Sequence, residues 1–269
     1  MTTTRAIVLA RGLGTRMRAV DLSAQLTPEQ QRAADAGVKA MMPVNGRPFL
    51  DYILSSLADA GIRRVALVVA PDHEALRQYY NIEARPARVQ VDFVVQDAPI
   101  GTANAVLAAE PWTDGEAFLA MNADNLYPLA GLEELASLSE PGLPVFERED
   151  LVKSSNIPRE RIWSFAILEV DEAGYLVGIV EKPNKDLPPK GGRYISMNCW
   201  RFDQRIFRAC REVPKSERGE FELPQAVAVA IRHGVKFKTF QARGPVLDLS
   251  TRADAADVAR RLAAITPHP

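Results

Sequence analysis

The stretch LARGLGTRM, Leu9 to Met17, directly follows a short apolar run and carries residue types that hold phosphate. Gly12 and Gly14 let the backbone approach a ligand closely or take positive φ. Successive N–H groups in such a turn can cradle phosphate oxygens. Thr15 adds a hydroxyl donor, and Arg16 a permanent charge able to grip two oxygens at once. Arg11 and Arg18 make the loop more basic still. The loop is no Walker A, because no Gly-Lys-Ser/Thr follows, and Met17 stands where a dinucleotide fingerprint needs its third glycine.

Two aspartates repeat one pattern. Asp124, in MNADNLYP, and Asp248, in VLDLSTRAD, each follow an apolar run. Open α/β sheets bind ligands at the C-terminal ends of their strands. Paired carboxylates there suit Mg²⁺, which takes one or two carboxylates together with substrate phosphates. Taken singly, each is as well explained as a turn or capping aspartate. In VEKPN, Glu181 can accept hydrogen bonds from sugar hydroxyls, and Lys182 can neutralise a phosphate. An exposed charged pair at a hairpin edge is the plain alternative. His73, His233 and His268 are scattered with no acid or nucleophile beside them, which argues against histidine chemistry.

The elements that must position these residues alternate in the first half. Strands are expected at Arg5–Leu9, Val65–Val69, Val89–Val95 and Ala117–Met121. Helices are expected from Phe49 to Ala60 with Gly61 as stop, after Asp72 as N-cap, and over Thr102–Ala109. Near-continuous apolar strands separated by helices imply a parallel sheet covered on both faces. In the second half, Ile162–Val170 and Tyr175–Val180 flank a turn at Asp171–Gly174. A further strand is expected at Tyr194–Phe202, with Trp200 and Phe202 alternating with Arg201 as a half-buried strand would. Helices follow at Gln204–Glu212 and Leu223–His233, a strand at Val235–Gln241, and a closing helix at Thr251–Ile265 capped by Thr251. Between Asp21 and Gly37, the Thr27-Pro28-Glu29-Gln30 run has capping-box chemistry and predicts a short polar helix.

Composition bounds the rest. The chain has 269 residues, 47% hydrophobic and 25% charged, with 33 basic against 34 acidic side chains. Such proportions exclude bulk disorder, and the charge balance offers no global field for nucleic acid or an anionic membrane. Cys199 and Cys210 cannot form a disulfide framework or a zinc cage. No apolar run approaches a membrane span, and AIVLA fails as a signal peptide, so a cytoplasmic location is expected. One domain over 1–269 is expected, a mixed, mostly parallel sheet flanked by helices, with a smaller β-rich portion.

In this order, the motifs resemble those of the sugar-phosphate nucleotidylyltransferase family from Ile7 to about Leu262. LARGLGTRM matches the family's L-A-x-G-x-G-T-R loop, although Arg11 stands where glycine or alanine is commoner. The resemblance assigns nucleotide binding to Leu9, Ala10, Gly12, Gly14, Thr15 and Arg16. In KAMMPVNGRP, Lys39 matches an active-site lysine. QDAPIGTANAV matches the base-reading segment, which assigns Gln96, Gly101 and Thr102 to the nucleotide. The metal motif keeps Asp124 but has Ala123 for its glycine, and Asp248 matches the second metal ligand. Glu181, Lys182 and Asn198 match sugar-phosphate contacts. GEFELPQAV matches a further segment, with Gln225 in place of its usual acid.

The resemblance implies a Rossmann-like, GT-A-like fold. Residues 1–130 would mainly bind nucleotide and 131–269 mainly sugar phosphate. It implies an enzyme that forms NDP-sugar and pyrophosphate from NTP and a sugar 1-phosphate with Mg²⁺, and it allows a homo-oligomer. Arg16, Lys39 and Lys182 would carry catalysis electrostatically. Gln96 fits uracil or thymine, because a side-chain amide can pair with an imide edge. Two other readings compete: a non-catalytic nucleotide-sugar sensor, for which the Ala123 and Gln225 departures speak, and a cytidylyltransferase for a non-sugar phosphate. In the family a loop between Arg16 and Lys39 covers the triphosphate, so the 21–37 segment is expected to act as a lid.

Overall fold

The computed structural model describes residues 2–12, 14–21, 24–183 and 192–269. In chain order its strands are β1 (Arg5–Leu9), β2 (Pro43–Val44), β3 (Arg47–Pro48), β4 (Arg64–Val69), β5 (Gln90–Val95), β6 (Phe118–Asn122) and β7 (Asn125–Leu126). There follow β8 (Gly142–Glu147), β9 (Ala166–Val170), β10 (Leu176–Val180), β11 (Tyr194–Ser196), β12 (Trp200–Phe202), β13 (Lys238–Gln241) and β14 (Leu247–Asp248). Ten of them form one sheet in the order β10-β9-β11-β8-β12-β6-β1-β4-β5, with β13 joined to β8.

The β6-β1-β4-β5 quarter is parallel throughout. The interiors of β1, β4 and β6 are apolar and buried because both faces are covered. Ala6 and Val8 of β1, Val65, Leu67 and Val69 of β4, and Leu119 and Met121 of β6 pack on one side with the helix Phe49–Asp59. Ile7, Ala66, Val68, Phe118 and Ala120 pack on the other, against helices Thr102–Ala108, Arg205–Glu212 and Leu223–Arg232. From β12 outward, β12, β8, β11, β9 and β10 pair antiparallel. The expected mixed sheet is therefore present. No helix among the described residues is long and apolar enough to cross a membrane.

Several local expectations are corrected. Tyr194–Phe202 is two strands, because Asn198 takes φ 57 and breaks the ladder between them. Arg201 is buried rather than half-exposed and donates to the Thr3 hydroxyl. Residues 159–164 form a 3-10 turn before β9 instead of extending it. His73, not Asp72, is the residue before the helix Glu74–Gln78, and no side chain caps it. The final helix is Asp254–Arg261, shorter than expected. There the capping relation is reversed: the Asp254 carboxylate accepts from the Thr251 N–H and hydroxyl. The polar helix is found at Pro28–Ala36 with its capping box intact: Gln30 N–H donates to Thr27 Oγ1, and Thr27 N–H donates to Gln30 Oε1.

Candidate active site

A cavity of about 370 Å³ opens where β1, β5 and β6 end. Leu9, Ala10, Arg11, Gly12 and Thr15 line it from the glycine loop. Here the two loop glycines separate in role. Gly14 has φ 63 and lies so close to the end of the Pro28–Ala36 helix that a Cβ would stand 2.2 Å from the Gly37 carbonyl oxygen. Gly12 has nothing within 4 Å of such a Cβ. Gly14 is thus needed by the fold, while Gly12 leaves space on the cavity side. Arg11 clamps the loop to the end of β5, with Nε 2.5 Å from the Gln96 carbonyl oxygen and Nη2 2.9 Å from that of Asp97.

Gln96, Gly101 and Thr102 line the neighbouring wall. Gln96 is 4% exposed. Its Nε2 donates to the Gly101 carbonyl at 3.0 Å and to Asn104 Oδ1 at 2.9 Å. Both amide hydrogens are therefore spent, and Oε1 is the atom left for a ligand. Gln96 therefore offers a ligand its acceptor end. Gly101 has φ 120 and is wedged against the Phe221 backbone, where a Cβ would come within 2.3 Å of the carbonyl oxygen. The Thr102 hydroxyl accepts from the Leu223 N–H at 2.9 Å, which ties the segment to the second half of the chain.

Lys39, on a 3-10 turn, and Asp124, after β6, face each other across the cavity floor with Nζ 2.8 Å from Oδ2. Asp248 stands behind them. The short β7–β14 ribbon pairs it with Asn125, and Leu249 N–H donates to the Asp124 carbonyl at 2.8 Å. Asp248 is 2% exposed. Its Oδ1 takes Arg161 Nη1 at 2.8 Å and its Oδ2 takes Asn125 Nδ2 at 3.0 Å. Burial, and then the Asp124 charge, push the Asp248 carboxyl above the usual carboxylate range. Arg161 also grips Asp254 through two hydrogen bonds, at 3.0 and 2.9 Å.

No group of three or more His, Cys, Asp or Glu side chains among the described residues could hold a metal. Two hard carboxylates of like charge, one buried, nevertheless suit Mg²⁺ completed by phosphate oxygens and water. Lys39 and Arg161 offset their repulsion from the protein side.

The cavity thus brings together Leu9, Ala10, Gly12, Thr15, Lys39, Gln96, Gly101, Thr102 and Asp124 of the expected residues. Gly14, Arg16, Glu181, Lys182, Asn198 and Asp248 do not line it. Arg16 is exposed at its rim and acts electrostatically on Lys182, whose ammonium is lowered first by burial; Arg218 acts on it too. Lys182 pairs with Glu181 at 3.8 Å, and Arg218 pairs with Glu222. Lys182 has φ 44, and Asn184 of the VEKPN motif lies outside the described residues. Burial lifts the Glu181 carboxyl to about 7.

Asn198 is held inside the fold. Its Oδ1 accepts from Trp200 Nε1 at 2.8 Å, and its Nδ2 donates to Asn122 Oδ1 at 2.7 Å. Asn122 continues the string to Asn125 at 3.3 Å, and Asn125 to Asp248. Sequence reasoning assigned no role to Asn104, Asn122, Asn125 or Arg161. Nothing local marks them, since each matters through a partner distant in sequence or across a turn. Glu220 also reaches the cavity, and the GEFEL motif was its one available signal.

A family model described as nucleotidyl transferase matches residues 5–262. The chain is 28% identical over 262 residues to UTP–glucose-1-phosphate uridylyltransferase AglF of Haloferax volcanii, covering 96% of both chains. It is 27% identical over 256 residues to glucose-1-phosphate thymidylyltransferase of Streptomyces antibioticus, covering 95% of this chain and 65% of that one. A solved UDP-glucose pyrophosphorylase in complex with UDP-glucose superimposes with a TM-score of 0.76 at 18% identity, covering 98% of this chain and 100% of the other. The inositol-1-phosphate CTP transferase of T. maritima superimposes at 0.73 and 20% identity, covering 98% and 96%. Both structures show a shared fold.

Proposed function

The chain belongs to the nucleotidyl transferase family, and on that premise we propose that it transfers a uridylyl or thymidylyl group from UTP or dTTP to a sugar 1-phosphate. The observation that carries this reading is the convergence of the glycine loop, the acceptor end of Gln96 and the Lys39–Asp124 pair on one cavity. The two relatives named as sugar-1-phosphate uridylyl- and thymidylyltransferases support it.

In this reading the base lies between the loop and Gln96, with the Gln96 oxygen accepting from the imide N–H. Leu9, Ala10, Gly12, Gly14 and Thr15 shape the nucleotide cradle, together with Gly101 and Thr102. Arg16 and Lys39 sit by the β- and γ-phosphates. A sugar phosphate oxygen attacks the α-phosphorus, the bond to the β-phosphate bridging oxygen breaks, and pyrophosphate leaves. The attacking oxygen is already anionic near neutral pH, so no strong base is required. The work is to hold two polyanions in line and to stabilise charge on the leaving group. Lys182, with Arg16 and Arg218 near it, offsets the charge of the incoming phosphate. Glu181 and Asn198 belong to the sugar side, although Asn198 has one amide hydrogen and one lone pair left to offer. Asp124 and Asp248 would hold Mg²⁺, which would neutralise negative charge developing on the phosphates.

Pyrophosphate release from a matrix of five NTPs and several sugar 1-phosphates tests the proposal. UTP or dTTP should exceed GTP by about one to two orders of magnitude in kcat/KM. Preference for GTP or ATP, or absence of turnover with every sugar phosphate, would overturn it.

A further inference from the structure

A glutamine can present either end of its amide to a base, and the two ends select opposite edges. We propose that Asn104 is the positioning residue that decides which end Gln96 presents, and so sets base specificity; the inference rests on the proposed role of Gln96.

The Gln96 backbone is anchored at the end of β5 by its N–H to the Val69 carbonyl at 3.0 Å. Arg11 clamps its carbonyl from the other side. Only the side-chain amide is then left free to turn. Two oxygens stand against its Nε2: the Gly101 carbonyl at 3.0 Å and Asn104 Oδ1 at 2.9 Å. The first is fixed by the main chain. The second lies on the opening turn of the helix Thr102–Ala108 and is a side-chain choice. A half turn of the Gln96 amide would set its oxygen against the Gly101 carbonyl, which cannot turn, and against Asn104 Oδ1 as that side chain stands. With both acceptors present the amide has one orientation, and Oε1 is offered to the ligand.

Uracil and thymine carry a donor at N3, which such an oxygen accepts. Cytosine has the same ring size and the same sugar phosphates but a bare lone pair at N3, which it would repel. Without Asn104, one Nε2 hydrogen of the buried Gln96 is left without a partner, and only the Gly101 carbonyl opposes the turned amide. The turned form offers N–H donors and suits cytosine.

The test compares kcat/KM and calorimetric binding of UTP and CTP for the wild type, Asn104→Ala, Asn104→Leu and Asn104→Asp. Alanine favours the helix and leucine nearly fills the same space, so at least one acceptor-free variant keeps the fold. Aspartate keeps an acceptor that cannot turn into a donor. The wild type should favour UTP. Removing the acceptor should lower the UTP:CTP ratio about tenfold, the worth of one hydrogen bond, with unchanged thermal midpoint. Asn104→Asp should weaken both nucleotides alike and keep the ratio within about twofold, because its added charge acts on phosphates common to both. An unchanged ratio in the acceptor-free variants, or an equal loss in Asn104→Asp, would overturn the role of Asn104 while leaving the base assignment standing. A wild type that does not distinguish UTP from CTP would overturn both.

Discussion

Lys39 and Asp124 meet at 2.8 Å on the floor of the cavity, the lysine 16% and the carboxylate 23% exposed at the side chain. Both side chains line the cavity, so the pair can open to admit a phosphate on one side and a cation on the other. Asp124→Asn keeps the shape and removes the charge. It should lower turnover by about a hundredfold or more at saturating substrate with the fold unchanged, as followed by pyrophosphate release and circular dichroism. A wild-type rate at limiting Mg²⁺ would remove Asp124 from the metal site.

Among the described residues, Arg161 is the one cation hydrogen-bonded to buried Asp248, and it holds Asp254 as well. Arg161→Met leaves two carboxylates without it, and the expected loss is about 3–5 kcal/mol in urea unfolding. Asp248→Asn should abolish turnover yet cost less stability, because Arg161 keeps Asp254. The double variant should lose less than the sum of the two single losses. Additive losses would mean the two side chains do not act as a unit.

The loop glycines should part company on substitution. Gly14→Ala drives a methyl against the Gly37 carbonyl at positive φ, so it should lower the thermal midpoint and loosen the Pro28–Ala36 helix. Gly12→Ala meets nothing in the protein and should leave the midpoint alone while raising KM for nucleotide. Equal effects on stability would contradict the division.

Glu181 ties stability to pH. Its carboxyl stands near 4.5 when unfolded and at about 7 in the fold. Between those values the folded chain binds more protons, so stability falls as pH rises and the full penalty applies above pH 7. A shift of that size corresponds to roughly 3 kcal/mol. Glu181→Gln should therefore match the wild type near pH 4.5 and exceed it at pH 8 in urea titrations. A gap that is the same at both ends would rule out this carboxyl as the source.

The Pro28–Ala36 helix is fastened to the cradle through Gly14, through Arg18 to the Ala36 carbonyl at 2.7 Å, and through Arg252 to Asp35 at 2.7 Å. Hydrogen exchange should report closure: amides 24–36 gain protection when NTP and Mg²⁺ are added. Equal protection with and without ligand would make the segment a fixed part of the wall.

Much of this arrangement was legible from residue order. Apolar runs buried on two faces announce parallel strands, so Asp124 and the glycine loop could be placed at strand ends before any contact was known. The Thr27–Gln30 box could be read because both of its bonds close within four residues. Tyr194–Phe202 misled because every residue type there favours a strand, while the break comes from Asn198 adopting a left-handed conformation, tied at both ends of its amide. The 159–164 turn misled because Ile162, Trp163 and Phe165 look like β1 or β4. There a non-local demand wins: Arg161 must reach Asp248 and Asp254. The polarity of the Gln96 amide was likewise invisible, since it depends on where Gly101 and Asn104 sit.

The ribbon that carries Asp248 beside Asp124 joins Asn125 to a residue 123 positions away. The cradle around Gly12, Gln96 and Lys39 closes over shorter chain separations, 85 positions for both Arg11–Gln96 and Lys39–Asp124. Pairings distant along the chain form late, after the local ones have reduced the freedom of the segments between them. A refolding molecule should therefore regain its grip on nucleotide before it regains turnover. The lag between the two would time the arrival of the last carboxylate.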